Sequence, residues 1–263
     1  MNAYVYKLTC ITNLHVGNGE MNFDVIDNTV ERDPVLQLPT INSSGVKGAF
    51  RQFFSENHLE NVTEIFGSDV KVKKQEGSFP GQVKFYQANL LARPMRASKG
   101  SATHYMTTSK EALEQYVRTM RVFGNKELLE YLPTETGNLT VSDQIGVEGI
   151  HDFTVIGDEK VKNWLKALIA EDTLIMENEQ FSQMPLPVMA RNQLENGISR
   201  NLWYEEVVPH KSIFTIAVSC TNQKLLNAFD EAVNKKYIQF GGNASIGYGL
   251  CLVERISGEV KTS

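Results

Sequence analysis

The stretch Ser212-Ile-Phe-Thr-Ile-Ala-Val-Ser-Cys220 decides the fold. Its β-branched, aromatic and small residues read as a strand. Leu225, Leu226, Phe229 and Val233 follow at helical spacing. A glycine-rich segment, Gly241-Gly-Asn-Ala-Ser-Ile-Gly-Tyr-Gly249, then leads into a last strand, Leu250 to Arg255. The opening of the chain repeats this order. Tyr4 to Thr12 alternates Tyr4, Tyr6, Leu8 and Cys10 against Val5, Lys7 and Thr9. An apolar helical face of Val46, Phe50, Phe53 and Phe54 comes next, and then a strand from Val83 to Leu91. Two β-α-β pieces without regular parallel alternation predict an α+β fold on a ferredoxin-like sheet with long insertions.

The insertions carry their own signals. A serine at Ser43 or Ser44 can cap the first helix, which sets Lys47 and Arg51 on one face. Thr108 and Glu111 have capping-box spacing, ahead of a helix faced by Ala112, Leu113, Tyr116, Val117 and Met120. Val161, Trp164, Leu165, Leu168 and Ile169 mark another helix. Val188 to Asn192 and Leu202 to Val207 read as a hairpin turning near Asn196-Gly197. No Pro-rich or low-complexity linker divides the 263 residues, so a single domain over 1–263 is expected.

With 41% hydrophobic and 22% charged residues, the chain falls among ordinary globular proteins and away from disordered or fibrous ones. No apolar run reaches the roughly 18 residues of a membrane span. The first ten residues lack a signal-peptide pattern. Cys10, Cys220 and Cys251 lie far apart in apolar runs and read as small buried hydrophobes. Their odd count and the lack of an export signal fit a reducing, cytoplasmic setting. A net charge of -5 argues against a non-specific nucleic-acid binder. The average hides an asymmetry. From Arg93 to Lys126, seven basic residues (Arg93, Arg96, Lys99, Lys110, Arg118, Arg121, Lys126) face only Glu111 and Glu114, a net of +5. An acidic stretch follows. One basic and one acidic surface would let a protein bind a polyanion and stack on copies of itself. Ordinary solvated charge is the plainer reading.

The five histidines, His15, His58, His104, His151 and His210, show no metal-ligand spacing. Ser44-Gly-Val-Lys-Gly48 is not a phosphate-binding Walker loop. Gly241 to Gly249 precedes a strand, so it is no dinucleotide fingerprint. Its glycines let backbone approach backbone, or backbone approach phosphate. The long polar loop from His15 to Asn42 is the better place for chemistry. Its carboxylates Glu20, Asp24, Asp27, Glu31 and Asp33 could hold a divalent metal or accept a proton, or could simply be solvated. Asp33, before Pro34, reads as a turn residue. Lys47 near a helix N-terminus is a candidate anion binder.

The run Asp27-Asn-Thr-Val-Glu-Arg-Asp-Pro-Val-Leu-Gln-Leu-Pro-Thr-Ile-Asn-Ser-Ser-Gly-Val-Lys-Gly-Ala-Phe-Arg51 resembles the RAMP superfamily of CRISPR proteins. Arg96-Ala-Ser-Lys-Gly100, Tyr105-Met-Thr-Thr-Ser109, Pro187-Val-Met-Ala-Arg-Asn192 and Leu202-Trp-Tyr-Glu-Glu-Val-Val-Pro209 are similar to segments of the backbone subunit of the type III-B Cmr effector. Gly241 to Gly249 resembles the superfamily's C-terminal glycine-rich loop. The helix start departs from the pattern, since Ile41-Asn-Ser-Ser-Gly-Val-Lys lacks the usual proline.

The resemblance implies a modified RRM-like, ferredoxin-like palm with an inserted thumb hairpin, here about residues 187–208. It implies copies of the chain along a guide RNA, together with other effector subunits and a complementary target RNA. It implies target cleavage needing Asp27 and a divalent metal, Mg²⁺ or Mn²⁺, at Asp27. Carried over in the same way, the RNA-binding residues are Ser43, Ser44, Lys47, Arg51, Arg96, Lys99, Arg191, Asn192, Gly241, Gly242 and Asn243. For Arg191 a structural ion pair is equally open. Two other readings are a purely structural guide-binding subunit and a guide-processing nuclease using His15.

Overall fold

A computed structural model describes residues 2–17, 19, 25–68, 79–124, 132–133, 136–139, 145–151 and 153–256. Its elements run β1 (Asn2–Cys10), β2 (Thr40–Ile41), α1 (Ser43–Glu56), α2 (Val62–Phe66), β3 (Lys84–Phe85), β4 (Ala88–Lys99), β5 (His104–Ser109) and α3 (Lys110–Phe123). Then come β6 (Gly137–Asn138), β7 (Gly146–Val147), α4 (Glu159–Leu168), β8 (Thr173–Met176) and α5 (Asn178–Gln183). The last are β9 (Val188–Glu195), β10 (Ile198–Glu206), β11 (Ile213–Cys220), α6 (Gln223–Val233), β12 (Lys236–Gln239) and β13 (Leu250–Arg255).

At the centre of the main sheet lies the order β13-β1-β11-β4, with every neighbouring pair antiparallel. α1 joins β1 to β4, and α6 joins β11 to β13. This is the ferredoxin-like arrangement, β-α-β followed by β-α-β. The connection from β4 to β11, a short hairpin in the simple fold, here holds everything from β5 to β10.

The sheet is covered on both faces, which explains why β11 is buried at every position. On one side Tyr6, Leu8 and Cys10 of β1 pack with Phe50, Phe54, Phe66, Phe229 and Phe240. Phe229 meets the rings of Tyr6, Phe50, Phe54 and Phe85 at centroid distances of 5.1–6.1 Å. Such pairs add about 0.5–1.5 kcal/mol each beyond simple burial. On the other side Val5, Leu91 and Ile213 pack against Leu113, Tyr116 and Val117 of α3 and Trp164 and Leu165 of α4. All three cysteines are buried and free.

Several local expectations are corrected. β1 starts and ends two residues early, and Thr12 instead accepts the Leu250 N–H through its hydroxyl at 3.0 Å. The expected strand over Val83–Leu91 breaks into β3 and the start of β4, and the Gln87 side chain between them donates to Asp33 and Asn89. α3 is capped by Ser109, whose hydroxyl accepts Ala112 N–H at 3.1 Å. The Thr108 side chain is buried one position earlier in β5, where its hydroxyl donates to the Leu91 carbonyl at 2.5 Å. α1 does start at Ser43, but neither serine is the cap; that place is Asn42, which makes no side-chain cap bond.

The largest correction concerns charge. Arg93, the first residue of the basic run, is 3% exposed. Its guanidinium donates to the carbonyls of Phe181, Met184 and Pro185, the otherwise unpaired end of α5. Burial holds its pKa down at about 10. Lys110 pairs with Glu177 and Arg118 with Glu114. Lys126 lies outside the described residues. The basic run in the sequence is therefore divided among a helix end, the ion pairs of Lys110 and Arg118, and the exposed Arg96, Lys99 and Arg121, of which Arg96 lies 3.7 Å from Glu148.

Candidate functional site

The β9–β10 hairpin forms a two-stranded sheet of its own, exposed along most of its length. It turns at Asn196 (φ 52°) and Gly197 (φ 78°), two left-handed residues that suit a tight hairpin turn. The root of this hairpin is where the long loop after β1 returns. The N–H groups of Asp27 and Asn28 both donate to the Tyr204 carbonyl, at 3.1 and 3.2 Å, and the Glu206 N–H donates to the Asn28 carbonyl at 2.9 Å. The Asp27 side chain closes the contact, with Oδ2 accepting the Tyr204 N–H at 2.8 Å. Asp27 is itself exposed. Of the other loop carboxylates, Asp33 is the turn residue expected, accepting Val35 and Leu36 N–H at 2.9 Å each. Glu20 and Asp24 lie outside the described residues.

Beneath Tyr204 sits a pair of buried carboxylates, Glu205 and Glu206. Glu205 Oε2 accepts Nε and Nη2 of Arg191, at 3.1 and 3.0 Å. Asn243 Nδ2 lies 2.9 Å from each Glu205 oxygen, and His15 Nε2 lies 3.7 Å from Oε1. The Arg191 guanidinium also lies over the Tyr248 ring, 4.4 Å from its centroid. Glu206 accepts from Arg32 at 2.5 Å and from the Val30 N–H at 3.0 Å. Its carbonyl lies 2.8 Å from His15 Nδ1. A carbonyl only accepts, so Nδ1 carries the proton. One network thus ties the hairpin, the first loop and the glycine-rich loop together.

In that network Arg191 makes the structural ion pair that is one of its two readings, with its side chain 20% exposed. The network also accounts for Gly241, Gly242 and Asn243. A side chain at Gly241 would collide with the His15 carbonyl, Gly242 N–H donates to that carbonyl at 2.9 Å, and the Asn243 side chain is spent on Glu205. Backbone here lies directly on backbone, at the His15 carbonyl. Asn192 lies on the exposed hairpin and accepts the Ser199 hydroxyl at 2.8 Å.

The remaining candidates lie on other elements. Ser43 and Ser44 are exposed in the first turn of α1, with Lys47 and Arg51 partly exposed behind them. Arg96 and Lys99 are exposed near the end of β4. The residues missed by sequence reasoning are Glu205 and Glu206. Their signal was present, since two carboxylates inside the apolar run Leu202 to Val207 must find partners if the strand is buried.

A sequence model of the RAMP superfamily matches residues 7–252. The chain is 23% identical to the CRISPR system Cmr endoribonuclease Cmr4 of Pyrococcus furiosus, over 96% of this chain and 95% of that protein. Among solved structures, it is similar to a chain of type III-B Cmr-beta bound to cognate target RNA, at 22% identity, TM-score 0.79 and 97% coverage of both chains. It is also similar to oligomeric Cmr4 from Pyrococcus furiosus, at 19% identity and TM-score 0.74, over 98% of this chain and 100% of that one. At these identities the structural likeness establishes the fold.

Proposed function

The chain belongs to the RAMP superfamily, and on that premise we propose that it is the repeating backbone subunit of a type III-B CRISPR effector, cutting target RNA complementary to its guide. Copies of the chain line up along the guide RNA with the other effector subunits, in the cytoplasm. The relative named an endoribonuclease and the similar structures, one oligomeric and one bound to target RNA, support this reading. No helix among the described residues is long and apolar enough to cross a membrane.

The observation that carries the proposal is Asp27 at the root of the hairpin. In this reading β9–β10 is the thumb, which displaces one nucleotide of the guide–target duplex. RNA brings its own nucleophile, the 2′-OH, but an A-form helix holds it out of line with the leaving 5′-oxygen. A displaced nucleotide can reach the in-line geometry. Asp27 stands beside it with Oδ2 anchored on Tyr204 N–H, and Oδ1, which has no hydrogen-bond partner among the described residues, can accept the 2′-OH proton.

In the alternative arrangement the same oxygen holds a divalent ion instead of accepting the proton. Mg²⁺ commonly keeps several waters and binds through one or two carboxylates plus substrate phosphates. Asp27 meets that need alone, and no group of three His, Cys, Asp or Glu able to cage a metal occurs among the described residues. When bound, Mg²⁺ or Mn²⁺ would neutralise charge on the reacting phosphate. Lys47, Arg51, Arg96 and Lys99 would neutralise guide phosphates and the Ser43 and Ser44 hydroxyls would donate to them, while base pairing reads sequence.

One observation favours a second reading. The Asp27 carboxylate already has a structural task as the tether of Tyr204, so the chain could be a scaffold without chemistry. His15 offers little to a guide-processing nuclease, being 8% exposed and engaged by the Glu206 carbonyl. Asp27→Asn separates the first two. It keeps an oxygen for the Tyr204 N–H and removes the charge. In the reconstituted guide complex with Mg²⁺, it should lose target cutting by roughly 100-fold or more while guide and target binding stay intact. Asp27→Ala should lose cutting as well. Wild-type cutting by Asp27→Asn would leave Asp27 a tether and favour the scaffold.

A further inference from the structure

A cavity of about 420 Å³ opens at the hairpin root, between β4, β5 and the two connections that enter β9 and leave β10. Arg93, Arg96, His104, His210 and Lys211 line it, with Glu148 as the one carboxylate among the described lining residues. Arg93 is committed to carbonyls. Glu148 accepts the Arg96 N–H at 3.1 Å and lies 3.7 Å from the Arg96 guanidinium, a loose pairing.

Lys211 is the unusual member. Its Nζ lies 3.1 Å from His104 Nε2. An ammonium can only donate, so Nε2 is the unprotonated nitrogen. The proton sits on Nδ1, which donates to the Thr103 hydroxyl at 3.0 Å. Burial, with Lys211 and His210 nearby, holds the His104 pKa below the usual histidine value. Lys211 thus spends its charge on a neutral ring. It does so from a left-handed backbone, φ 70°, in a turn closed by Ser212 N–H on the Pro209 carbonyl. Glycine or asparagine is the ordinary occupant of such a position. The fold therefore crowds cations together and accepts backbone strain to do it, a combination typical of binding sites.

We propose that this cavity is a subsite for a phosphodiester group of RNA, held by Lys211, Arg96 and His104. The inference rests on the reading that the chain binds RNA, and adds a subsite to it. The donors come from three separate elements, β4, β5 and the turn after β10. A tetrahedral phosphate accepts from several directions at once, which a planar carboxylate does less well. The cavity also adjoins the hairpin that displaces a nucleotide, where an RNA backbone must pass. On filling, His104 gains a proton, because an anion replaces the cations as its dominant neighbour.

Lys211→Gly tests this in the full chain, because it relieves the backbone strain while removing the charge. Its melting temperature should equal or exceed that of wild type. Its RNA affinity should fall, and the slope of log K against log salt should become shallower by about 0.7, one single-strand phosphate contact. Guide RNA alone, and then target RNA added to the guide complex, are titrated separately to show which strand the subsite holds. The His104 ring should titrate at higher pH with RNA bound, followed by NMR. An unchanged slope for both strands, or an unmoved His104, would overturn the subsite. So would shortened filaments with unaltered RNA affinity, since an acidic group of a second copy would then be the occupant. A wild-type chain with no RNA affinity would instead overturn the functional reading itself, whatever Lys211→Gly does.

Discussion

Glu205→Gln keeps the size of the side chain at the hairpin root and removes its charge. Glu205 is 4% exposed, and its hydrogen-bond partners are donors: two N–H groups of Arg191 and the amide of Asn243. A glutamine brings one donor end, so a donor must face a donor wherever it is turned. Bonds to a charged group contribute about 1.5–3 kcal/mol each. Losing the charge from these contacts, with the amide oxygen recovering part, comes to about 3 kcal/mol. At roughly 1.4 kcal/mol per tenfold, the root should open about 100-fold more often. Hydrogen exchange reads this directly. The amides of Tyr204, Glu206 and Gly242, bonded to Asp27, Asn28 and His15, should exchange about 100-fold faster. Amides in the centre of β1 and β11 should be unchanged. Target cutting should fall with them, because Asp27 is held by the same root. Root amides as protected as in wild type would refute the claim that this carboxylate locks the hairpin.

Two further outcomes follow from other positions. Gly241→Ala meets both a left-handed backbone, φ 69°, and the His15 carbonyl, whereas Gly197→Ala at φ 78° meets nothing within 4 Å. Urea denaturation should show about 1–2 kcal/mol lost at Gly197 and clearly more at Gly241; equal losses would remove the close-approach argument. The folded-state pKa of His104 lies below its ordinary value of 6.5. Its neutral form therefore adds stability near neutrality, and this is lost as pH falls below 6.5 toward the folded value. Between about pH 7.5 and about pH 5, wild type should lose more melting temperature than His104→Gln, and equal losses would contradict the assignment.

The sequence alone determined the palm. β1, α1 and α6 follow from apolar periods of two and of 3.6, because a strand or helix with one buried face must repeat its apolar residues at that spacing. β11, buried at every position, is instead read from its continuous run of β-branched, aromatic and small residues. The hairpin was legible from Asn196-Gly197, since a two-residue turn demands left-handed residues. Asp27 could be singled out only by resemblance, because an aspartate in a loop carries no period.

What the tertiary structure decided was which charges matter. Arg93 and Arg96 are three residues apart and alike in sequence. Arg93, in the middle of β4, is buried on the carbonyls at the end of α5, while Arg96 remains exposed. Glu205 becomes the centre of the root only because Arg191, Asn243 and His15 arrive from 14, 38 and about 190 residues away. Lys211 meets His104 across 107 residues. Local patterning reports the exposure of a face. The partner of a charge is set by which chain segments close in space, and that is fixed only when the whole sheet has formed.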